Sequence, residues 1–438
     1  MDGTSRAGAS ADAPARIVVT SYASFILIGW SGLLIPSLLR VIKAEFGQTD
    51  AGFGLLYLIS ALFFAIGALS AGLLAERLGR RVLLPLSALA IAVGLATQGL
   101  APSWPVLLLG VALAGAGSGA IDAGVNSVVM DLSVSGKGSA LNRLHLFYSV
   151  GALGAPLAIG QLVGLGVNWR LLAAGTGIVA LALVVPLRTV GSVPPRRRAA
   201  TVVPGAAVPG RAGAGGAVSD DRGARANERG TGPDERRVGP DLRLPLAILG
   251  VAIACYVATE LGVSSWLVGF LDDEPMSVAT LGLSLFWVGH ASGRLTAVRI
   301  ADRFDPIRFT TACAIAGSVA LAVAVHGPGG APRIAAFAIT GFALGPVWPM
   351  IMTVGGTLFP HRAATVSGVL TAAGVVGSVL YPPFMGLISS VAGLGAGMTG
   401  AAVLALLSGA AVVTAGRLAA RRRVAAAVLP PRWDLRAR

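Results

Sequence analysis

The 438-residue chain is 55% hydrophobic and 12% charged, with a mean hydropathy of +0.77. A soluble domain of this length has to cover its surface with polar groups, so the composition excludes an ordinary soluble enzyme. A net charge of +14, from 34 Lys and Arg against 20 Asp and Glu, raises nucleic-acid binding, which the placement of those charges between apolar segments then removes.

Apolar windows of roughly 20 residues, the length a helix needs to cross a hydrocarbon core of about 30 Å, recur between short polar breaks. The first, near 17–40, follows a polar, Ala-rich start. It lacks a small-residue cleavage site and reads as a membrane helix, not a removed signal peptide. Windows near 51–74 and 82–101 flank a loop holding Glu76, Arg77, Gly79, Arg80 and Arg81. The fourth, near 105–130, is rich in glycine and carries Asp122 and Asn126. The fifth, near 141–166, carries Asn142, His145, Pro156 and Gln161, and the sixth, near 169–187, opens on Trp169 and Arg170. Residues 188–243 break the pattern with Pro194, Pro195, the run Arg196 to Arg198 and a mixed-charge stretch. Such a segment buries too little apolar surface to offset its ordering entropy, and is expected to be a disordered cytoplasmic linker.

Six further windows follow, near 244–271, 278–300, 307–325, 333–355, 364–388 and 396–416. The expected fold is therefore all-α and polytopic, with twelve transmembrane helices in two six-helix bundles, 1–187 and 244–438, on either side of the linker. Prolines 156, 346, 349, 382 and 383 each remove a backbone donor and mark expected points of helix loosening.

The cations set the orientation. With both termini inside, outer loops hold Arg40, Lys43, Arg170 and Arg333. Arg77, Arg80, Arg81, Lys137, Arg299, Arg303, Arg308 and Arg362 fall in or beside inner ones, as the positive-inside bias requires. This places a multi-pass protein in a cell inner or plasma membrane, in contact with lipid and not nucleic acid. Cys255 and Cys313 lie inside apolar windows and imply neither disulfides nor a metal cluster. Neither GxxxxGK[ST] nor HExxH occurs, so ATP-driven transport and metalloprotease activity are disfavoured and no cofactor or metal is expected.

The halves echo one another. Gly67, Gly72, Glu76 and Arg77 close the second window, and Gly289, Gly293, Asp302 and Arg303 close the eighth. Duplicated halves around a central cavity favour a transporter over a channel or receptor.

Carboxylates inside the membrane are the expected working parts, since a charge there costs about 2.5–3.5 kcal/mol even on insertion scales. Glu260, near the middle of the seventh window, has Tyr256 one turn before it and Ser264 one turn after it. A carboxylate so placed can take up a proton when desolvated and release it when a cavity opens. Asp122 shares a face with Asn126, and His145 with Asn142. Asp122 either carries a proton, organises the solute or pairs with Arg143. His145 either shuttles a proton or makes a fixed hydrogen bond. Asn126, Asn142, Tyr256 and Gln161 are expected to contact a small polar substrate.

The loop GLLAERLGRR, Gly72 to Arg81, resembles the signature between the second and third helices of the major facilitator superfamily, and Trp169 with Arg170 matches another recurrent feature. The resemblance implies that Glu76, Arg77, Gly79, Arg80 and Arg81, with Asp302 and Arg303, form an inner gate. Within that superfamily, NRLHLFYSVGALGAP at 142–156, residues 119–126 and residues 256–266 resemble the fucose permease branch of sugar/proton symporters. That resemblance assigns coupling to Asp122 and Glu260 and a polar role to Asn142. It also implies protons as coupling ion, a sugar-like solute and a monomer. The alternatives are a proton-driven exporter of drugs or metabolites, towards which Gly151, Gly154, Ala155 and Pro156 make a partial match, and a non-transporting receptor.

Overall fold

The computed structural model describes residues 5–132, 137–193, 240–359 and 362–428; the side chains of 5–14, 137–139, 142, 240–242, 363–364 and 422–428 are outside this set. The predicted linker falls almost wholly on 194–239, outside the described residues.

The apolar windows become helices because, in a hydrocarbon medium, only a helix satisfies every N–H and C=O within its own segment. They are α1 (Ser5–Glu45), α2 (Asp50–Leu78), α3 (Arg80–Leu100), α4 (Trp104–Leu132), α5 (Lys137–Gly164), α6 (Trp169–Ala182) and α7 (Val184–Gly191). After the undescribed segment come α8 (Pro240–Phe270), α9 (Met276–Ile300), a 3-10 turn Ala301–Arg303, α10 (Pro306–His326), α11 (Ala331–Leu344), α12 (Val347–Leu358) and α13 (Ala363–Val428). Side-chain oxygens at the tight turns take up orphan N–H groups: Thr49 accepts from Gly52 N, Asn168 from Arg170 N, and Asp305 from Arg308 N. Within the spans hydroxyls are satisfied one turn back, as in Ser37 to Leu33 O and Thr340 to Ala336 O.

Three details differ from the sequence reading. The sixth window is two helices, parted at Leu183, and the tenth is α11 and α12, parted at Gly345 and Pro346. Helix α5 runs on through Pro156, and α13 through Pro382 and Pro383, so of these prolines only Pro346 stands at a break. The last two windows are two helices, both within the range given for α13, that meet directly at a kink with non-helical backbone at Gly393 (φ 79°).

Ten helical segments among the described residues are long and apolar enough to cross a membrane. Helix α9 is not one of them, because His290, Ser292 and Arg294 interrupt its apolar run. The protein is thus an all-α polytopic membrane protein.

Helices of the first segment pack on one another, α1 with α5, α2 with α4 and α3 with both α4 and α6. Those of the second do likewise, α8 and α10 with α13 and α9 with α11. The two sets meet along α5 and α9, α2 and α13, and α1 and α8. The side-chain hydrogen bonds joining them lie from mid-helix towards the end of the bundle that carries Glu45. Arg40 donates to the carbonyls of Leu271, Asp272 and Glu274; Tyr57 Oη to Ser265 O at 2.7 Å; Ser284 Oγ to Leu153 O at 3.1 Å; and Ser389 Oγ to Asp50. Lys43 pairs with Asp50 at the same end. The sets approach closely at Gly54 and Gly386, where a Cβ on either residue would overlap the opposing backbone, and at Gly160, where it would overlap the side chain of Thr280.

Candidate functional site

Between the two sets of helices lies a cavity of about 280 Å³. Ile28, Ile35, Leu56, Phe64, Val111 and Leu261 form much of its apolar wall; Ser31, Tyr57, Gln98, Ser118, Asp122 and Tyr148 supply polar groups. It is elongated. Gln98 packs against Gly110 of α4, and Asp122 is twelve residues further along that helix, about 18 Å at the α-helical rise.

Asp122 takes a hydrogen bond from Asn126 Nδ2 at 3.3 Å, as the one-turn spacing predicts. Among the described residues it forms no ion pair, and Arg143 is exposed on α5 instead of meeting it. Of the buried polar atoms without partners among the described residues, Ser31 Oγ and Gln98 Oε1 lie on residues of the cavity wall and Asn126 Oδ1 lies on the residue that donates to Asp122.

Glu260 belongs to a separate cluster, buried between α8 and α9. His290 Nε2 is 3.2 Å from its Oε1, and Arg294 approaches the same oxygen at 4.0 Å. Tyr256 Oη is 2.9 Å from His290 Nε2. Arg294 also donates through Nε to Gly345 O at 3.1 Å, which ties the carboxylate to the break between α11 and α12. Trp287 packs edge-on against His290 on one side and meets Tyr148 of α5 across the interface between the helix sets. Tyr148 also lines the cavity that holds Asp122, so it touches both the cavity and, through Trp287, the Glu260 cluster.

The other predicted residues are dispersed. Tyr256 is 1% exposed, with its hydroxyl on His290, and stands outside the cavity wall. His145 is exposed and meets Phe25 edge-on at 5.4 Å. Gln161 is exposed near the Glu45 end of α5, and the side chain of Asn142 is outside the described residues. At the opposite end of the bundle Glu76, Arg77 and Arg81 are exposed, and Gly79 makes the turn with φ 79°. Arg80 pairs with Asp131 of α4 at 2.6 Å. Asp302 and Arg303 are exposed on the 3-10 turn.

His290, Arg294 and Asp131 carry more of the polar network than the sequence reading gave them. The signal for Arg294 was available, since an arginine one turn from a histidine inside an apolar window is a functional candidate by cost alone. Asp131 sits at a helix end, and its pairing with a residue on another helix leaves no trace in one sequence.

Helices packed in two sets around a shared cavity, with carboxylates buried in the apolar zone, define a polytopic membrane protein with a polar site inside its helix bundle. The sequence profile of the Major Facilitator Superfamily matches residues 20–238 and 241–433, and the chain belongs to that superfamily. Among curated relatives it is 30% identical over 142 residues to the uncharacterized MFS-type transporter YfkL of Bacillus subtilis (32% of this chain, 35% of that one). It is 25% identical over 136 residues to the sodium-dependent glucose transporter 1A of Mus musculus (31% and 32%). The chain spans about a third of the length of each.

Solved structures share the fold at low identity. A bacterial homolog of the human lysosomal transporter Spinster, inward-facing and unoccupied, matches with TM-score 0.71 and 18% identity over 93% of this chain and 98% of that one. The nucleoside transporter NupG gives 0.68 and 13% over 93% and 99%. The E. coli fucose:proton symporter FucP gives 0.56 and 16% over 92% and 98%. The likeness therefore reaches several branches and does not single out the fucose permease one.

Proposed function

We propose that the protein is a secondary active transporter that moves a small polar solute by proton-coupled alternating access. One observation carries the reading: a cavity shared by two packed helix sets, sealed by hydrogen bonds towards the Glu45 end, with buried carboxylates beside it. Twelve crossings are proposed, by counting α6 with α7 as one, α11 with α12 as one, α13 as two about Gly393, and adding α9. They divide into bundles 1–187 and 244–438, joined by the linker 188–243, with both termini cytoplasmic in a cell inner or plasma membrane. The Glu45 end is then external and the protein inward-facing. In support, the external charges are largely neutralised in pairs, Lys43 with Asp50, Arg170 with Glu45 and Arg333 with Asp273. Single-cysteine labelling checks the orientation: a cysteine at Asp273 reacts with an impermeant reagent from outside, and protection there overturns it.

Glu260 is assigned the coupling proton, with His290 and Arg294 as its partners, and Asp122 either shares that task or organises the solute. His145 is retained as a second proton group. Asn126 and Asn142 are kept as solute contacts, whereas Tyr256 is better placed to hold His290 and Gln161 to face the outer surface. A sugar-like solute and proton symport follow from the motif resemblance to the fucose permease branch; protons are the coupling ion and a monomer the working unit. Proton-driven export is the alternative direction, and a non-transporting receptor the alternative class. Proteoliposomes holding the full chain, with an imposed proton gradient and a panel of sugars and metabolites, test the reading. Accumulation of at least one solute against its gradient is expected; binding without uptake identifies a receptor.

Glu76, Arg77, Gly79, Arg80, Arg81, Asp302 and Arg303 are proposed to form the inner gate, with Arg80 and Asp131 as its paired element in the open state. Being at the bundle end, they lie away from the cavity. Glu76→Gln is expected to lower the turnover rate severalfold and leave equilibrium binding within about twofold. A binding loss as large as the turnover loss, with the fold intact, sinks the gate assignment.

A further inference from the structure

We infer that the transported solute is a monovalent organic cation, an ammonium group on a narrow apolar body, with its charged end held by Asp122. The inference rests on the transport reading and puts a cation in place of the sugar-like solute that the motif resemblance suggests. Among the described residues that line the cavity, Asp122 is the carboxylate, and Lys, Arg and His are absent. Its hydrogen-bond partner among the described residues is the neutral amide of Asn126. Glu260, by contrast, already has His290 and Arg294. When Asp122 is ionised its compensating charge therefore comes from the cavity's contents, since a charge in this setting is tolerated only when paired or wetted.

An unpartnered atom points the same way. Asn126 has an unsatisfied Oδ1 beside the carboxylate. It is an acceptor, as is an ionised carboxylate, so the group that meets them has to bring donors, and an ammonium is a donor with no acceptor. Tyr148 and Phe64, on the same wall, are aromatic rings of the kind that attract cations. The rest of the wall is largely apolar, interrupted by Ser31, Ser60, Ser118, Ser265 and Ser378, and accommodates a short hydrocarbon body. At about 280 Å³ the cavity is at the small end of ligand pockets.

Calorimetry on the full chain in lipid nanodiscs, with empty nanodiscs subtracted, tests this with phenethylammonium against 2-phenylethanol, hexylammonium against hexanol, and glucose as a neutral polyol. The wild-type protein is expected to bind each amine at least tenfold more tightly than its alcohol and than glucose, the scale of a charge-assisted hydrogen bond. Asp122→Asn should reduce that preference to within twofold, and Asp122→Glu should restore it. Equal or tighter binding of the alcohols or of glucose, an unchanged preference in D122N, or failure of both amines to bind overturns the inference. The wild-type comparison stands even if D122N does not fold. Preferential amine binding without uptake in proteoliposomes contradicts the transport reading alone, and uptake of neutral solutes without amine preference contradicts this inference alone.

Discussion

Glu260→Gln is expected to abolish uphill accumulation while leaving solute binding and downhill exchange in place. Glutamine keeps the shape of the side chain and a polar contact to His290, which is 3.2 Å from Glu260 Oε1, but it cannot release a proton. The carboxylate is tied through Arg294 to Gly345 O, at the parting of α11 and α12. Its charge state therefore bears on a discontinuous helix, and a proton there can favour one arrangement over another. Accumulation in E260Q should fall at least tenfold, with exchange within a few-fold of wild type. If E260Q accumulates normally and Asp122→Asn still binds and exchanges solute but does not accumulate it, the carrier is Asp122; if both remain coupled, the carboxylate mechanism is wrong.

Gly386→Leu is expected to hold the Glu45 end of the bundle apart and lower transport at least tenfold. Gly386 of α13 lies against the backbone of Asp50 and Gly54 in α2, and Gly54 in turn against Pro383 O. Small residues let helices of the two sets approach closely where the apolar medium offers no other drive. A leucine cannot be seated there without moving α2 or α13, and overpacking costs about 1–3 kcal/mol. A penalty near 1.4 kcal/mol already shifts a two-state equilibrium tenfold. The helix set to which Gly386 belongs keeps its own packing of α8 on α13, centred on Leu249, Ile253, Leu370 and Val412, so the protein should remain folded. A reporter cysteine at Ser265, on the cavity wall, should become more reactive from the Glu45 side. Normal transport with unchanged labelling contradicts the role of this seam.

The helices were legible in the sequence because the bilayer leaves so few alternatives: an apolar window of the right length has one backbone solution. Asp122 with Asn126 was legible for the same kind of reason, both residues lying on one helix at a fixed spacing. What stayed hidden was rotation and partnership between helices. Tyr256 and Glu260 share a face of α8, yet the tyrosine hydroxyl turns to His290 on α9. Glu45 meets Trp169 and Arg170 across more than a hundred residues, a contact that no local pattern encodes. Pro156 and Pro382 read as weak points, but their helices continue through them, since neighbouring helices can support the freed carbonyls.

The coupling itself is tested most directly by following protons and solute together, in proteoliposomes carrying the full chain and an internal pH dye. On addition of a solute that the wild-type protein accumulates, the internal pH should change in step with solute entry or exit, and E260Q should show solute exchange with no pH change. Solute movement with no proton movement in the wild-type protein, or binding with neither, would contradict proton-coupled transport.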